Sequence, residues 1–273
     1  MTEPASVPTA NGAMWGTDMH LAPTKPDAIL RYADHRRGFA ELRVPDGAGP
    51  FALAVIFHGG CFKTGIADEA YMAPLASRWQ AQGIATLNVD YRETLDGGGW
   101  PGSFADWGKT AGLIDEAVRA YPLDRTRITL VGHSAGALPA LWLPSPQGRE
   151  GPVGERTPVA ARAAIVLDGP GDLGREKAAF DALCQFSSVA PFMGVASGAR
   201  FAAIAPRPAL DKILFVQAKL PAPPAESIDA LESGGATVVV RENPEASHFS
   251  IITPGNEVYA ANEPAMLEVL TGR

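Results

Sequence analysis

Apolar residues recur along this chain in two rhythms. Short continuous or alternating runs, FAELRVP (39 to 45), FALAVIF (51 to 57), IATLNV (84 to 89), ITLV within 127 to 131, AAIVL (163 to 167), 213 to 216 and 237 to 240, read as strands. Between them the spacing turns helical. Met72, Leu75 and Trp79 share one face of a segment from 68 to 82 that Gly83 stops, and Trp107, Ala111, Ile114 and Val118 do the same within 104 to 121. Helix-like segments also fall at 225 to 231 and 258 to 270. Strands that alternate with helices predict an α/β fold with a mainly parallel sheet covered on both faces. The Pro- and Gly-rich stretch from 144 to 158 reads as a surface loop.

At 273 residues and 46% hydrophobic composition, the chain suits one large domain over 1–273, with 1–38 as an N-terminal extension. The segment 171–208 is long for a crossover and holds Phe180, Phe186, Phe192, Met193 and Phe201 without a clean strand. Two readings stay open for it: a small cap lining a pocket over the strand ends, and an ordinary crossover with a core-facing helix.

A net charge of −7 and the lack of any basic run argue against a nucleic-acid or anionic-membrane surface, which leaves a small molecule as the expected partner. Residues 1 to 20 resemble neither a secretory signal nor an anchor, and no apolar run has membrane-spanning length, so the expected location is cytoplasmic. Cys61 and Cys184 are expected there as free thiols, with a buried pair as the alternative. No Cys/His spacing suggests zinc, no G-x-G-x-x-G follows the first strands, no P-loop is present, and no cofactor is expected.

Candidate chemistry enters at RITLVGHSAGALPALWL, 127 to 143. The pentad G-H-S-A-G alone is weak evidence in a glycine-rich chain. Its setting is stronger: a β-prone run before it and helix formers after it make a strand, tight turn and helix. A serine at such an apex sits in strained backbone, and side chains two residues to either side would collide.

With this turn in place and His58-Gly59-Gly60 upstream, the sequence resembles the α/β-hydrolase superfamily, and more narrowly bacterial esterase and peptidase-like hydrolases related to arylformamidases and the hormone-sensitive-lipase group. The resemblance spans about residues 50 to 260 and rests also on Tyr91-Arg92, the GGWPG loop, Gly171-Asp172-Leu173 and Ser247-His248-Phe249. It implies an α/β-hydrolase fold with Ser134 as nucleophile and His248 as general base, in the chain order this fold requires. It also implies an oxyanion hole from Gly59, Gly60 and Cys61, with Ala135 supplying the donor after the nucleophile. Tyr91, Arg92, Trp100 and Asp106 are expected to brace loops rather than react.

The third member departs from the family pattern. Relatives usually carry an aspartate after the strand equivalent to 213 to 217, whereas FVQAKLPAPPAES offers no carboxylate before Glu226. Asp168, at the end of AAIVL, is the first choice as substitute; Glu226 and Asp172 are the others. The implied activity is hydrolysis of a small carboxylic ester through an acyl-enzyme, with an amidase or arylformamidase as close variant. A hydrolase-fold protein that binds a ligand without turnover is the alternative from another class, and the missing loop aspartate is its support.

Overall fold

The computed structural model describes residues 22–146, 159–194 and 198–272. The expected loop at 144 to 158 therefore lies largely outside the described residues, as do the segment 1 to 20 and three positions of the 171–208 segment. Eight strands form one sheet: β1 (Ala28–Arg31), β2 (Phe39–Arg43), β3 (Phe51–Phe57), β4 (Ala85–Val89), β5 (Leu123–His133), β6 (Ala163–Leu167), β7 (Lys212–Gln217) and β8 (Thr237–Glu242), in the order β1-β2-β4-β3-β5-β6-β7-β8. The contacts β1·β2 and β2·β4 are antiparallel and all the others parallel.

Helices cover the sheet. They are α1 (Ala73–Ala81), α2 (Gly102–Gly108), α3 (Thr110–Ala120), α4 (Ala137–Trp142), α5 (Leu173–Cys184), α6 (Val189–Met193), α7 (Gly198–Ile204), α8 (Ala225–Glu232) and α9 (Glu257–Thr271). Their ends follow local chemistry. The Asp172 carboxylate caps α5 by accepting from the N–H of Gly174 and Arg175, Asn256 caps α9, and Gly272 closes α9 in the left-handed conformation. The helical run expected at 104 to 121 is two helices, α2 and α3, meeting at Lys109. The region expected to begin with a single helix at 68 opens with a 3-10 turn, Glu69–Met72, before α1.

Strands β3, β4, β6 and β7 and the second half of β5, from Ile128 on, are buried on both faces, which is why they read as mainly apolar runs. On one face Trp79, Tyr259 and Met266 pack against Ala54, Ile56 and Ile165. On the other, Phe57, Leu130, Phe104, Trp107 and Trp142 share a core with Phe180, Phe192 and Met193 of the 171–208 segment. Phe62 stacks on Phe192 at 4.0 Å between ring centroids and tilts against Phe180 at 5.4 Å. Helices α5 and α6, which lie between β6 and β7 in the chain, turn Phe180, Phe192 and Met193 into the core.

Parallel register fixes what stands at the carboxyl edge of the sheet. His133 on β5 pairs with Leu167 on β6, and Leu167 pairs with Val216 on β7. The next residues, Ser134 and Asp168, therefore leave neighbouring strands at the same level, about 4.8 Å apart across the sheet. The loop after β3 carries His58-Gly59-Gly60, and the loop after β8 carries His248.

Candidate active site

Ser134 sits at the turn between β5 and α4 with φ 55°, a left-handed conformation that a non-glycine residue adopts at a cost of about 1–3 kcal/mol. The flanking glycines are dictated by space. A Cβ on Gly132 would lie 2.1 Å from the Gly136 carbonyl oxygen, and one on Gly136 would lie 2.1 Å from that of Phe57. Among the described residues, six non-glycine positions have positive φ, and four of them, Cys61, Phe62, Ser134 and Asp168, belong to this site or its loop. Backbone strain is concentrated where the chemistry would be.

Asp168 and His248 meet directly. The Oδ2 of Asp168 is 2.6 Å from Nδ1 of His248, and both side chains are almost completely buried. The loop after β7, where the resemblance leads one to expect an acid, does something else here. Its backbone N–H groups converge on the Asp168 carboxylate: Ala218 at 2.8 Å, Lys219 at 3.0 Å and Leu220 at 2.9 Å. Burial alone would raise the pKa of this carboxyl; the bond to His248, the charge of that ring and the donors from Ala218 and Lys219 hold it below its ordinary value. An ionised Asp168 accepts from Nδ1–H and so leaves Nε2 of His248 as the basic nitrogen.

The other two carboxylates do not reach the histidine. Asp172 is bound to the start of α5 and to Arg175. Glu226 is exposed in the first turn of α8.

Ser134 and His248 line one cleft together with Gly60, Cys61, Ile66, Tyr71, His133 and Phe249. Among the described residues, none from 171–208 lines it. Of the four donors expected for an oxyanion, Gly59 departs from the expectation. Its N–H already donates to the Tyr71 hydroxyl, because a close approach of the loop to the 3-10 turn places them together. The N–H groups of Gly60 and Cys61 have no hydrogen-bond partner among the described residues, and Ala135 follows the serine at the start of its turn. Gly59 contributes space instead, since a Cβ there would lie 2.8 Å from that of Ser134.

The expectation of free thiols is overturned. Cys61 and Cys184 form a disulfide, with Cα atoms 5.9 Å apart, that ties the loop after β3 to the end of α5. Nothing in a separation of 123 residues signals the pair; packing of Phe62 against Phe180 and Phe192 brings the two segments together.

Around this centre the structure shows further polar groups. Tyr91 stacks on His58 and donates to the His58 carbonyl, Arg92 pairs with Asp106, and Trp100 packs edge-on against Phe104. Behind the loop, Arg37 contacts Asp90, Glu93 and Asp96. Sequence reasoning missed Tyr71 and Arg37, because neither stands in a motif and only the folded chain brings them to the loop. Among the described residues, no group of three or more His, Cys, Asp or Glu side chains is placed to hold a metal ion, and no helix is long and apolar enough to cross a membrane.

The sheet order, the strained serine turn and the strand-end positions together define an α/β-hydrolase fold. Comparison with known proteins agrees: residues 42–168 match the family model described as BD-FAE. No curated protein matches the chain. Among solved structures, esterase B from Lactobacillus rhamnosis, inhibited by a C6-C4 SN3 compound, has a TM-score of 0.70 at 15% identity and covers 92% of this chain and 89% of its own. An esterase from Thermogutta terrifontis with propionate bound has a TM-score of 0.59 at 20% identity, over 86% of this chain and 89% of its own. A bifunctional GH43-CE protein from Bacteroides eggerthii has a TM-score of 0.65 at 19% identity over 88% of this chain, which spans only 37% of that protein's length.

Proposed function

We propose that this protein is a serine hydrolase that cleaves small carboxylic esters through an acyl-enzyme on Ser134. The observation that carries this reading is the Asp168–His248 contact of 2.6 Å at the edge of the cleft that also holds Ser134. His248 Nε2 takes the Ser134 hydroxyl proton as Oγ attacks the ester carbonyl carbon, and the carbonyl electron pair moves to oxygen. That oxyanion is met by the N–H groups of Gly60, Cys61 and Ala135, each such donor typically contributing about 3 kcal/mol to the transition state. Collapse expels the alkoxide, which takes the proton from His248. Water, deprotonated by the same nitrogen, then releases the carboxylic acid and restores Ser134.

Two things support an ester with a short acyl part. The cleft is small and walled by Ile66, Tyr71 and Phe249, and solved proteins of this fold include an esterase holding propionate and one inhibited by a tributyrin phosphonate. The reading of a binding protein without turnover loses its support, since the place of the absent loop aspartate beside His248 is taken by Asp168. A disulfide between Cys61 and Cys184 suits an oxidising compartment better than the cytoplasm.

The test is labelling with a fluorophosphonate and location of the adduct by mass spectrometry, followed by turnover of matched aryl acetates and acetanilides. A stoichiometric adduct on Ser134 that is absent in His248→Ala, with ester turnover far above amide turnover, is expected. A folded protein without adduct would refute the proposal, and amide-only turnover would replace the esterase by an amidase.

A further inference from the structure

The histidine inside the serine pentad and the tyrosine of the 3-10 turn before α1 have no part in the reaction just described, yet both are buried against it. His133 Nε2 is 3.0 Å from the main-chain oxygen of His248, and His133 Nδ1 is 2.7 Å from the Tyr71 hydroxyl. The same hydroxyl accepts the N–H of Gly59.

The directions of these bonds follow from chemistry. A carbonyl oxygen only accepts, so Nε2 of His133 carries the hydrogen. A neutral imidazole then has only a lone pair at Nδ1, so the Tyr71 O–H donates to it. Neutrality is enforced: burial, then the neighbouring charge of His248, push the His133 pKa down to about 3. A single chain therefore runs from Gly59 N–H to Tyr71, to His133, to the backbone of His248.

We propose that Tyr71 and His133 are positioning residues that lock the oxyanion loop, the serine turn and the base loop into one reactive geometry. Three separate loops, after β3, β5 and β8, must agree to within a fraction of an ångström for acyl transfer. Asp168 holds the His248 ring, and His133 holds its main chain. His133 is also the residue before Ser134, so the serine turn and the base share a rigid link. At the other end Tyr71 fixes the Gly59 peptide, and with it the direction of the following N–H groups. The two rings pack accordingly: His133 lies 4.4 Å from His248 and 5.3 Å from Phe249 between centroids, and Tyr71 sits edge-on to Phe249.

This inference rests on the proposed serine hydrolysis, and its test separates the two. Wild type, Tyr71→Phe, His133→Leu, His133→Gln and the Tyr71→Phe/His133→Leu double variant are compared by the rate of fluorophosphonate labelling and by kcat and KM on an aryl acetate. Far-ultraviolet circular dichroism gives the folded fraction to which each rate is referred. Tyr71→Phe keeps the ring that walls the cleft, so KM is expected to stay within about twofold while kcat and the labelling rate fall roughly 10- to 100-fold, a modest positioning loss. His133→Leu should fall similarly, and the double variant no further than the worse single one. His133→Gln restores a donor and an acceptor and is expected to recover most of the rate. Variants at wild-type rates per folded molecule, multiplying single losses, or a glutamine no better than leucine would overturn the positioning role alone. A wild type that neither labels nor turns over would remove the hydrolase reading and this inference with it.

Discussion

The Oδ2 of Asp168 lies 2.6 Å from the Nδ1 of His248, although 80 residues separate them and their strands, β6 and β8, are not neighbours in the sheet. The loop after β8 that carries His248 reaches back across the end of β7. The β7 loop turns its N–H groups inward at Ala218, Lys219 and Leu220, and all three donate to the carboxylate of Asp168 on the next strand inward. Asp168→Asn removes the negative charge and presents an amide to Nδ1, which favours the wrong imidazole tautomer. We expect kcat to fall by about 10³- to 10⁴-fold, by analogy with the amide substitution in serine proteases, with a smaller change in KM. Asp172→Asn and Glu226→Gln should keep turnover within a few-fold. Steady-state kinetics on one aryl ester checks all three, and near-normal turnover in Asp168→Asn would exclude this carboxylate as the orienting group.

The same region shows what a sequence discloses and what it withholds. Central strands were legible because burial on both faces leaves unbroken apolar runs, as in FALAVIF and AAIVL. The serine turn was legible because its glycines are forced by contacts within a few residues and with one neighbouring strand. Strand β1 was not, since its apolar run, Ala28-Ile29-Leu30, is too short to stand out and Ile29 is exposed at the sheet edge. The choice among Asp168, Asp172 and Glu226 depended on where the N–H groups of residues 218 to 220 point, which no local pattern encodes. Gly59 was assigned as a donor because the motif is blind to Tyr71, twelve residues on, which takes its N–H.

His133 supplies a pH signature of its own. Its pKa is about 3 in the folded protein against about 6.5 unfolded. Between those values the unfolded chain holds the proton that the folded chain rejects. The stability is therefore complete above pH 6.5 and is lost as pH falls toward 3, at roughly 1.4 kcal/mol per pH unit from this group. Denaturant unfolding of wild type and His133→Gln from pH 7 down to pH 4 should show the difference between them closing or reversing as the pH drops. A constant difference would mean that His133 titrates normally.

Glu93 works in the opposite sense. One guanidinium, Arg37, faces three carboxylates, and Asp90 also has His58 at 3.1 Å, which leaves Glu93 the least compensated. Burial is the main cause that carries its pKa up to about 9, with Arg37 opposing and the charges of Asp96 and Asp90 adding to it. The folded state thus keeps a proton between about pH 4.5 and 9 that the unfolded state has lost. Stability from this group is full below that window and declines as pH rises through it. Glu93→Gln imitates the protonated form. Between pH 6 and 9 the variant is expected to gain on wild type by roughly 1.4 kcal/mol per pH unit, read from paired denaturation curves. Parallel curves would show that Glu93 is ionised beside Arg37.

The disulfide between Cys61 and Cys184 makes the last prediction, because one of its ends lies among the proposed oxyanion donors. Closing a span of 123 residues restricts the unfolded chain severely. Bridges of this kind typically contribute about 2–4 kcal/mol. Cys184→Ser leaves the donor loop's own sequence intact, so any change in rate reports the tether rather than the lost side chain at Cys61. We expect a lower melting temperature, a stability loss of about 2–4 kcal/mol, and slower labelling of Ser134, since Cys61 is held at φ 53° next to Gly60 partly by that bridge. Reduction of the wild type should reproduce both effects. Alkylation of the unfolded, unreduced protein decides the premise: no modified cysteine is expected, and two modified cysteines would show that the loop after β3 is held by the packing of Phe62 on Phe192 alone.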